Sequence, residues 1–432
     1  MNSGDTAFLL IAAALVLLMT PGLAFFYGGL VKAKSVISMM MMSFGAIGLI
    51  AVLWVLYGYA IAFPAAGTEP VSTFIGLPGF WGLDTSSLGL NGLLAYDGSA
   101  EDAGTYPPLA FAAFQATFAI ITVALISGAI ADRAKFGAWM VFAGVWATLV
   151  YFPVASWVFN FGLGDGGFAY GNWATKGLQD IFGVGVIDFA GGTAVHINAG
   201  AAALALALVL GKRVGFAKGA NVPHNPPFVL LGAGLLWFGW FGFNAGSELA
   251  ADGTAAVAFI NTLAAPAAAL LAWIVVEKIR DGKATSIGAA SGAVAGLVAI
   301  TPACGSLDPI WAIVLGIIAG AVCALAVDLK FKLGFDDSLD VVGIHLIGGL
   351  IGTLYLGFLA NGTGLFMGGD GSQLLVQAIV AVSVLVYSFV LAFIIGFVIE
   401  KTMGFRIKSE DEVAGVDLAV HGEDAYVLAD TK

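Results

Sequence analysis

Long apolar runs separated by short polar breaks dominate the chain. The hydrocarbon core of a bilayer, about 30 Å thick, takes some twenty mostly apolar helical residues to cross. On that length the pattern predicts spans near 5–29, 36–63, 107–130, 136–160, 189–210, 226–247, 255–277, 285–303, 309–329, 341–360 and 373–400. Two breaks, 64–106 and 160–187, are longer and rich in glycine and aromatic residues. The expected fold class is therefore an all-α membrane protein with eleven transmembrane helices. Residues 1–402 form its transmembrane domain and 403–432 a tail.

The first run resembles a signal peptide only in length. Met1–Thr6 carries Asp5 and no lysine or arginine, and Phe8–Leu18 continues to Tyr27 without a small-residue cleavage site. It is read as a retained first span. The cations orient the rest. Lys32 and Lys34 follow the first span, Arg133 and Lys135 the third, and Lys212, Arg213 and Lys218 the fifth. Lys278, Arg280 and Lys283 follow the seventh, Lys330 and Lys332 the ninth, and Lys401, Arg406, Lys408 and Lys432 the eleventh. Lys176 alone falls on the other side. Cytoplasmic loops carry the excess of lysine and arginine, so the N-terminus is expected outside and the C-terminus inside, which requires an odd number of spans.

Composition agrees with this reading. Of 432 residues, 60% are apolar and 10% charged, against roughly 25% charged in soluble domains. Gly288, Gly292 and Gly296, then Gly316 and Gly320, then Gly348 and Gly352 repeat at spacing four, as close helix contacts in lipid require. Cys304 and Cys323 show no CxxC spacing, so neither a disulfide framework nor a zinc site is indicated. No nucleophile–base pair, metal cluster or nucleotide loop appears. An enzyme, a metal site, a cofactor and, at a net charge of -11, a nucleic-acid partner are not expected.

Ionisable side chains inside a span are expensive and mark function. His224 and His421 fall in a loop and in the tail, but His196 and His345 lie within the fifth and tenth spans. Asp188-Phe-Ala-Gly-Gly-Thr-Ala-Val-His196 and Asp340-Val-Val-Gly-Ile-His345 each place an aspartate at a helix start and a histidine one to two turns in. Both aspartates also suit a helix N-cap. Spans five and ten enter from opposite faces, as in an inverted repeat of five plus five helices with its site near the midplane. That gives a first repeat of about 5–211, a second of about 226–360, and one further helix of about 373–400. Two neutral imidazoles in an apolar pore suit a small neutral hydrogen-bonding molecule better than a bare ion. Ammonia fits, and so does water.

Asp188–Gly200 (DFAGGTAVHINAG), Leu236–Ser247 (LWFGWFGFNAGS), Thr117–Phe136, Asp340–Gly349 and Glu410–Tyr426 run through the whole chain. In these blocks the sequence resembles the ammonium transporter family that includes the Rh proteins. The resemblance implies selective ammonium transport by a multi-pass protein of the cytoplasmic membrane. His196 and His345 match the twin pore histidines, and Phe118 and Phe243 the stacked phenylalanines that close the pore. Ser247 matches the serine of the outer recruitment site, Phe114 and Trp240 aromatics at the pore mouth, and Asp188 the acidic residue that shapes the site from below. Ammonium would be recruited at the outer site and deprotonated, and ammonia would pass the histidines. The family often has tryptophan where Phe159 stands, and phenylalanine is the weaker cation–π partner. The resemblance also implies a homotrimer and a regulatory tail at which a PII-type signalling protein docks. A passive gas channel of Rh type, which implies flux without current, and a sensor that signals through its tail are the rival readings; the tail and the Phe243–Ser247 block resemble the ammonium transporter side of the family.

Overall fold

A computed structural model describes residues 1–64, 72–74, 77–94, 105–159, 173–216 and 222–426. The predicted residue 160, Lys218 and the tail end 427–432 lie outside them. Apart from one short antiparallel pair, β1 (Ser72–Phe74) with β2 (Leu77–Trp81), the described chain is helical. Among the described residues, ten helices are long and apolar enough to cross a membrane. They are α1 (Ser3–Leu30), α2 (Val36–Ala62), α3 (Pro108–Ile130), α4 (Phe136–Phe159) and α5 (Gly192–Leu210) in the first half. In the second half come α6 (Pro226–Glu248), α7 (Gly253–Asp281), α9 (Pro309–Leu333), α10 (Val342–Leu359) and α11 (Ser372–Thr402).

The predicted span 285–303 is the one that falls short. Its helix, α8 (Ser286–Ile300), has 15 residues, or about 22 Å at 1.5 Å per residue. It is buried throughout from Ala290 onward, so protein rather than lipid surrounds it and full length is not required of it. Beyond Ile300 the chain reverses. Asn261 of α7 holds that reversal by donating to the carbonyls of Cys304 (2.8 Å) and Leu307 (2.7 Å).

Lipid offers no hydrophobic drive for one apolar helix to join another, so close backbone approach has to supply the contact. The glycine repeats do this. A Cβ on Gly316 or Gly320 of α9 would stand 2.2 Å from the carbonyl oxygens of Ala265 and Ala269 of α7. On Gly352 of α10 it would stand 2.0 Å from Ala299 O of α8. The first helices of the two halves, α1 and α6, also pack closely: Gly232 lies against the backbone of Phe26, and Gly239 and Gly242 against Leu15 and Ala12.

The tail packs on the face that carries the cations. Arg406 pairs with Ala134 in an isolated bridge, and Ile407 N donates to Arg133 O. Two short helices follow, α12 (Ser409–Ala414) and α13 (Val416–His421). Glu412 accepts from Val214 N (2.6 Å) and from Arg406 Nη2 (2.7 Å). Asp417 accepts from the backbone N–H groups of Ile37 and Ser38 and so caps the free first turn of α2. His224, in the loop between α5 and α6, bonds Val31 O and the Tyr426 hydroxyl.

Candidate functional site

The predicted histidines meet. Nδ1 of His345 lies 3.2 Å from Nδ1 of His196, with the rings 5.3 Å apart and 25° from parallel. Both side chains are buried. Neutral imidazole carries one donor and one acceptor. A shared Nδ1–H···Nδ1 bond therefore leaves one ring with Nε2–H and the other with a bare Nε2. The pair offers a passing molecule one donor and one acceptor. His196 Nε2 has no hydrogen-bond partner among the described residues.

Both histidines ride on π-helical turns, Gly192–Ile197 at the start of α5 and Val342–Leu346 at the start of α10. Such turns are uncommon and cluster at functional sites. The first is organised by Asp188. Its carboxylate accepts from the N–H groups of Gly191 (2.9 Å), Gly192 (2.5 Å), Thr193 (2.8 Å) and Ala194 (3.1 Å), and from the Thr193 hydroxyl. Gly191, at φ 121°, adopts a conformation that disfavours a side chain. His196 N then donates to Gly191 O across five residues, at 3.0 Å.

The pairing of Asp340 with Asp188 does not hold. Asp340 turns away in the left-handed region (φ 64°) and binds Lys330 Nζ at 2.6 Å. The counterpart is Asp337, which accepts from Val342 N at 2.7 Å. Asp337 precedes His345 by the same interval that separates Asp188 from His196, a signal already present in the sequence. Burial pushes the Asp337 carboxyl up to about 6, against the opposing pull of Lys330.

The two turns also contact each other reciprocally. Gly200, four residues after His196, lies against Leu346, the residue after His345. Gly349, four residues after His345, lies against Ile197, the residue after His196. A side chain at either glycine would drive the histidines apart.

Aromatic rings stand above this pair. Phe118 of α3 and Phe243 of α6 stack at 4.1 Å and 24°, and Phe243 lies 6.2 Å from the His196 ring. Phe114 meets Phe118 edge-on at 4.8 Å, and Phe159 meets it edge-on at 6.1 Å. Ser247 lies one turn beyond Phe243, half-buried, with its hydroxyl donating to Phe243 O at 2.8 Å. That leaves its lone pairs to accept from a donor.

Trp240, expected at the pore mouth, is placed deeper. Its ring lies 5.5 Å from His196 and 19° from parallel, on the histidine side of Phe243. The reason is helical: α6 runs Trp240, Phe243, Ser247 outward along one face at intervals of three and four residues. A narrow cavity joins Trp240, Phe243 and both histidines between apolar walls that include Leu23, Phe26, Ile121 and Leu125.

The model of the Ammonium Transporter Family matches residues 7–426. An ammonium transporter of Mycobacterium tuberculosis is 55% identical over 450 residues, covering 99% of this chain and 91% of that protein. One of Bacillus subtilis is 45% identical over 434 residues, covering 99% of each. Among solved structures, Saccharomyces cerevisiae Mep2 is similar at a TM-score of 0.81 and 32% identity, covering 95% of this chain and 91% of that one. A sensor Amt protein is similar at 0.83 and 26% identity, covering 97% and 98%. Matched along nearly its whole length, this multi-pass chain belongs to the ammonium transporter family, a family of transporters rather than enzymes.

Proposed function

We propose that this chain carries ammonium selectively across the cytoplasmic membrane. The observation that carries the reading is the His196–His345 pair beneath the stacked Phe118 and Phe243. Ammonium is recruited where the Ser247 hydroxyl can accept from it and where Phe114, Phe118 and Phe159 offer ring faces. Cation–π attraction there is worth about 0.5–2 kcal/mol. A charge cannot pass an apolar constriction without a desolvation cost of several kcal/mol or more. Ammonium escapes that cost by giving its proton to water on the outer side of the phenylalanine stack. Ammonia then crosses along Trp240 and the twin histidines, donating to one Nε2 and accepting from the other. Potassium has no proton to give up and is rejected. Asp188 acts from below by fixing the turn that carries His196.

The same proposal covers the architecture. Surrounded by protein, α8 counts as the eighth of eleven spans, with the N-terminus outside and the cation-rich face and tail inside. The reciprocal glycine contacts support an inverted repeat of five plus five helices, 5–211 and 226–360, with α11 added. A homotrimer and a PII-type partner at the packed tail follow from the family resemblance.

The recruitment step is tested at Phe159. Phe159→Trp supplies the stronger cation–π face, and half-saturation of ammonium uptake into proteoliposomes is expected to fall about two- to fivefold. Ser247→Ala is expected to raise it by a similar factor, with maximal rates kept in both. Unchanged half-saturation in both variants contradicts the outer site, and no uptake by the unmodified protein contradicts the function.

A further inference from the structure

Trp240 forms one wall of the cavity beside His196, and its position depends on a residue outside every block discussed so far. The indole Nε1 donates to Oγ1 of Thr301 at 2.8 Å. Thr301 is fully buried at the end of α8. Its hydroxyl proton is already committed to Leu297 O at 2.7 Å. With that proton fixed, the hydroxyl lone pairs have a fixed direction, and one of them receives the indole N–H.

The next residue, Pro302, reaches the other side of the stack. Its carbonyl accepts from Phe189 N at 3.1 Å, and a Cβ on Gly192 would stand 2.5 Å from its ring. Two consecutive residues therefore support the two sides of this stack: Thr301 holds the Trp240 indole, and Pro302 backs Gly192 in the turn that carries His196.

We infer that Thr301 is a positioning residue for substrate size, which sets the face of Trp240 against His196 and so the bore at the histidines. The inference rests on the transport reading above. A loosened indole admits a larger molecule. A pore that separates ammonium from methylammonium by one methyl group is discriminating between ligands that a well-shaped pocket separates by roughly tenfold or more.

Thr301→Val keeps the branched shape and removes the acceptor, whereas Thr301→Ser keeps the acceptor and removes only a methyl. In proteoliposomes, the ratio of maximal ammonium to methylammonium flux is expected to fall about threefold or more in Thr301→Val and to stay at the unmodified value in Thr301→Ser. Half-saturation for ammonium is expected to remain, because Ser247 and Phe159 lie on the far side of Phe243. A residue that served only stability would lower both fluxes together and leave the ratio alone. If Thr301→Val does not assemble, Trp240→Phe, which removes the donor instead, must produce the same fall in ratio. An unchanged ratio in whichever variant assembles overturns the inference. Absence of any flux from the unmodified protein overturns the transport reading beneath it.

Discussion

Replacing His196 and His345 together with alanine is expected to abolish ammonium-selective flux, cutting the ammonium-to-potassium ratio by roughly thirtyfold or more. The magnitude follows from the geometry. The rings share one Nδ1–Nδ1 contact at 3.2 Å, which fixes one free donor and one free acceptor at mid-pore. Removing both leaves a molecule in transit with two unmade hydrogen bonds between apolar walls. An unsatisfied polar group costs about 1–3 kcal/mol, and each 1.4 kcal/mol is a factor of ten. The space left by two imidazoles also admits water, which would let a hydrated ion follow. Flux into proteoliposomes during ammonium and potassium pulses decides the matter. An unchanged ratio in the double variant removes the histidines from the mechanism.

The second large effect is expected at Asp188. Asp188→Ala strips the acceptor from four backbone N–H groups and one hydroxyl, all in a buried turn. At about 1–3 kcal/mol for each buried donor left bare, with partial relaxation, a loss of roughly 3–6 kcal/mol is expected. Transport is expected to fall with it, because the turn that relaxes is the one presenting His196. Asp188→Asn keeps one acceptor oxygen but turns an NH2 toward backbone N–H groups, so it should lie between the two. Thermal unfolding in detergent and flux are read on the same preparations. Unfolding temperature and flux that both match the unmodified protein would show that the turn stands without its carboxylate.

Much of this architecture could be read from the residues because membrane helices declare themselves by length and composition. The ten long helices fall where the apolar runs placed them, and the glycine repeats became the close contacts they suggested. His196 and His345 stand out in the sequence because a polar group inside an apolar run has few other uses, and the structure brings them within 3.2 Å of each other. What escaped was whatever depended on neighbours distant in sequence. The short α8 reads as a full span in its apolar run, because hydropathy does not report that protein surrounds a helix. In the sequence Asp340 stands nearer the start of the run, whereas the cap is decided by which carboxylate faces Val342 N. The family resemblance groups Trp240 with the outer aromatics, although its spacing from Phe243 and Ser247 puts it a turn deeper. Thr301 is one threonine among many until its hydroxyl is seen under an indole N–H. The break at 64–106 offers no periodicity from which the pairing of β1 with β2 could be inferred.

The measurement that tests the account most directly is flux into liposomes holding the purified protein, with ammonium and potassium pulses given separately and together. The account predicts an ammonium flux that saturates with concentration, no potassium flux above that of empty liposomes, and no competition from potassium in excess. A potassium flux comparable to that of ammonium would contradict it, because an ion that cannot release a proton would then be passing the phenylalanine stack and the histidines with its charge intact.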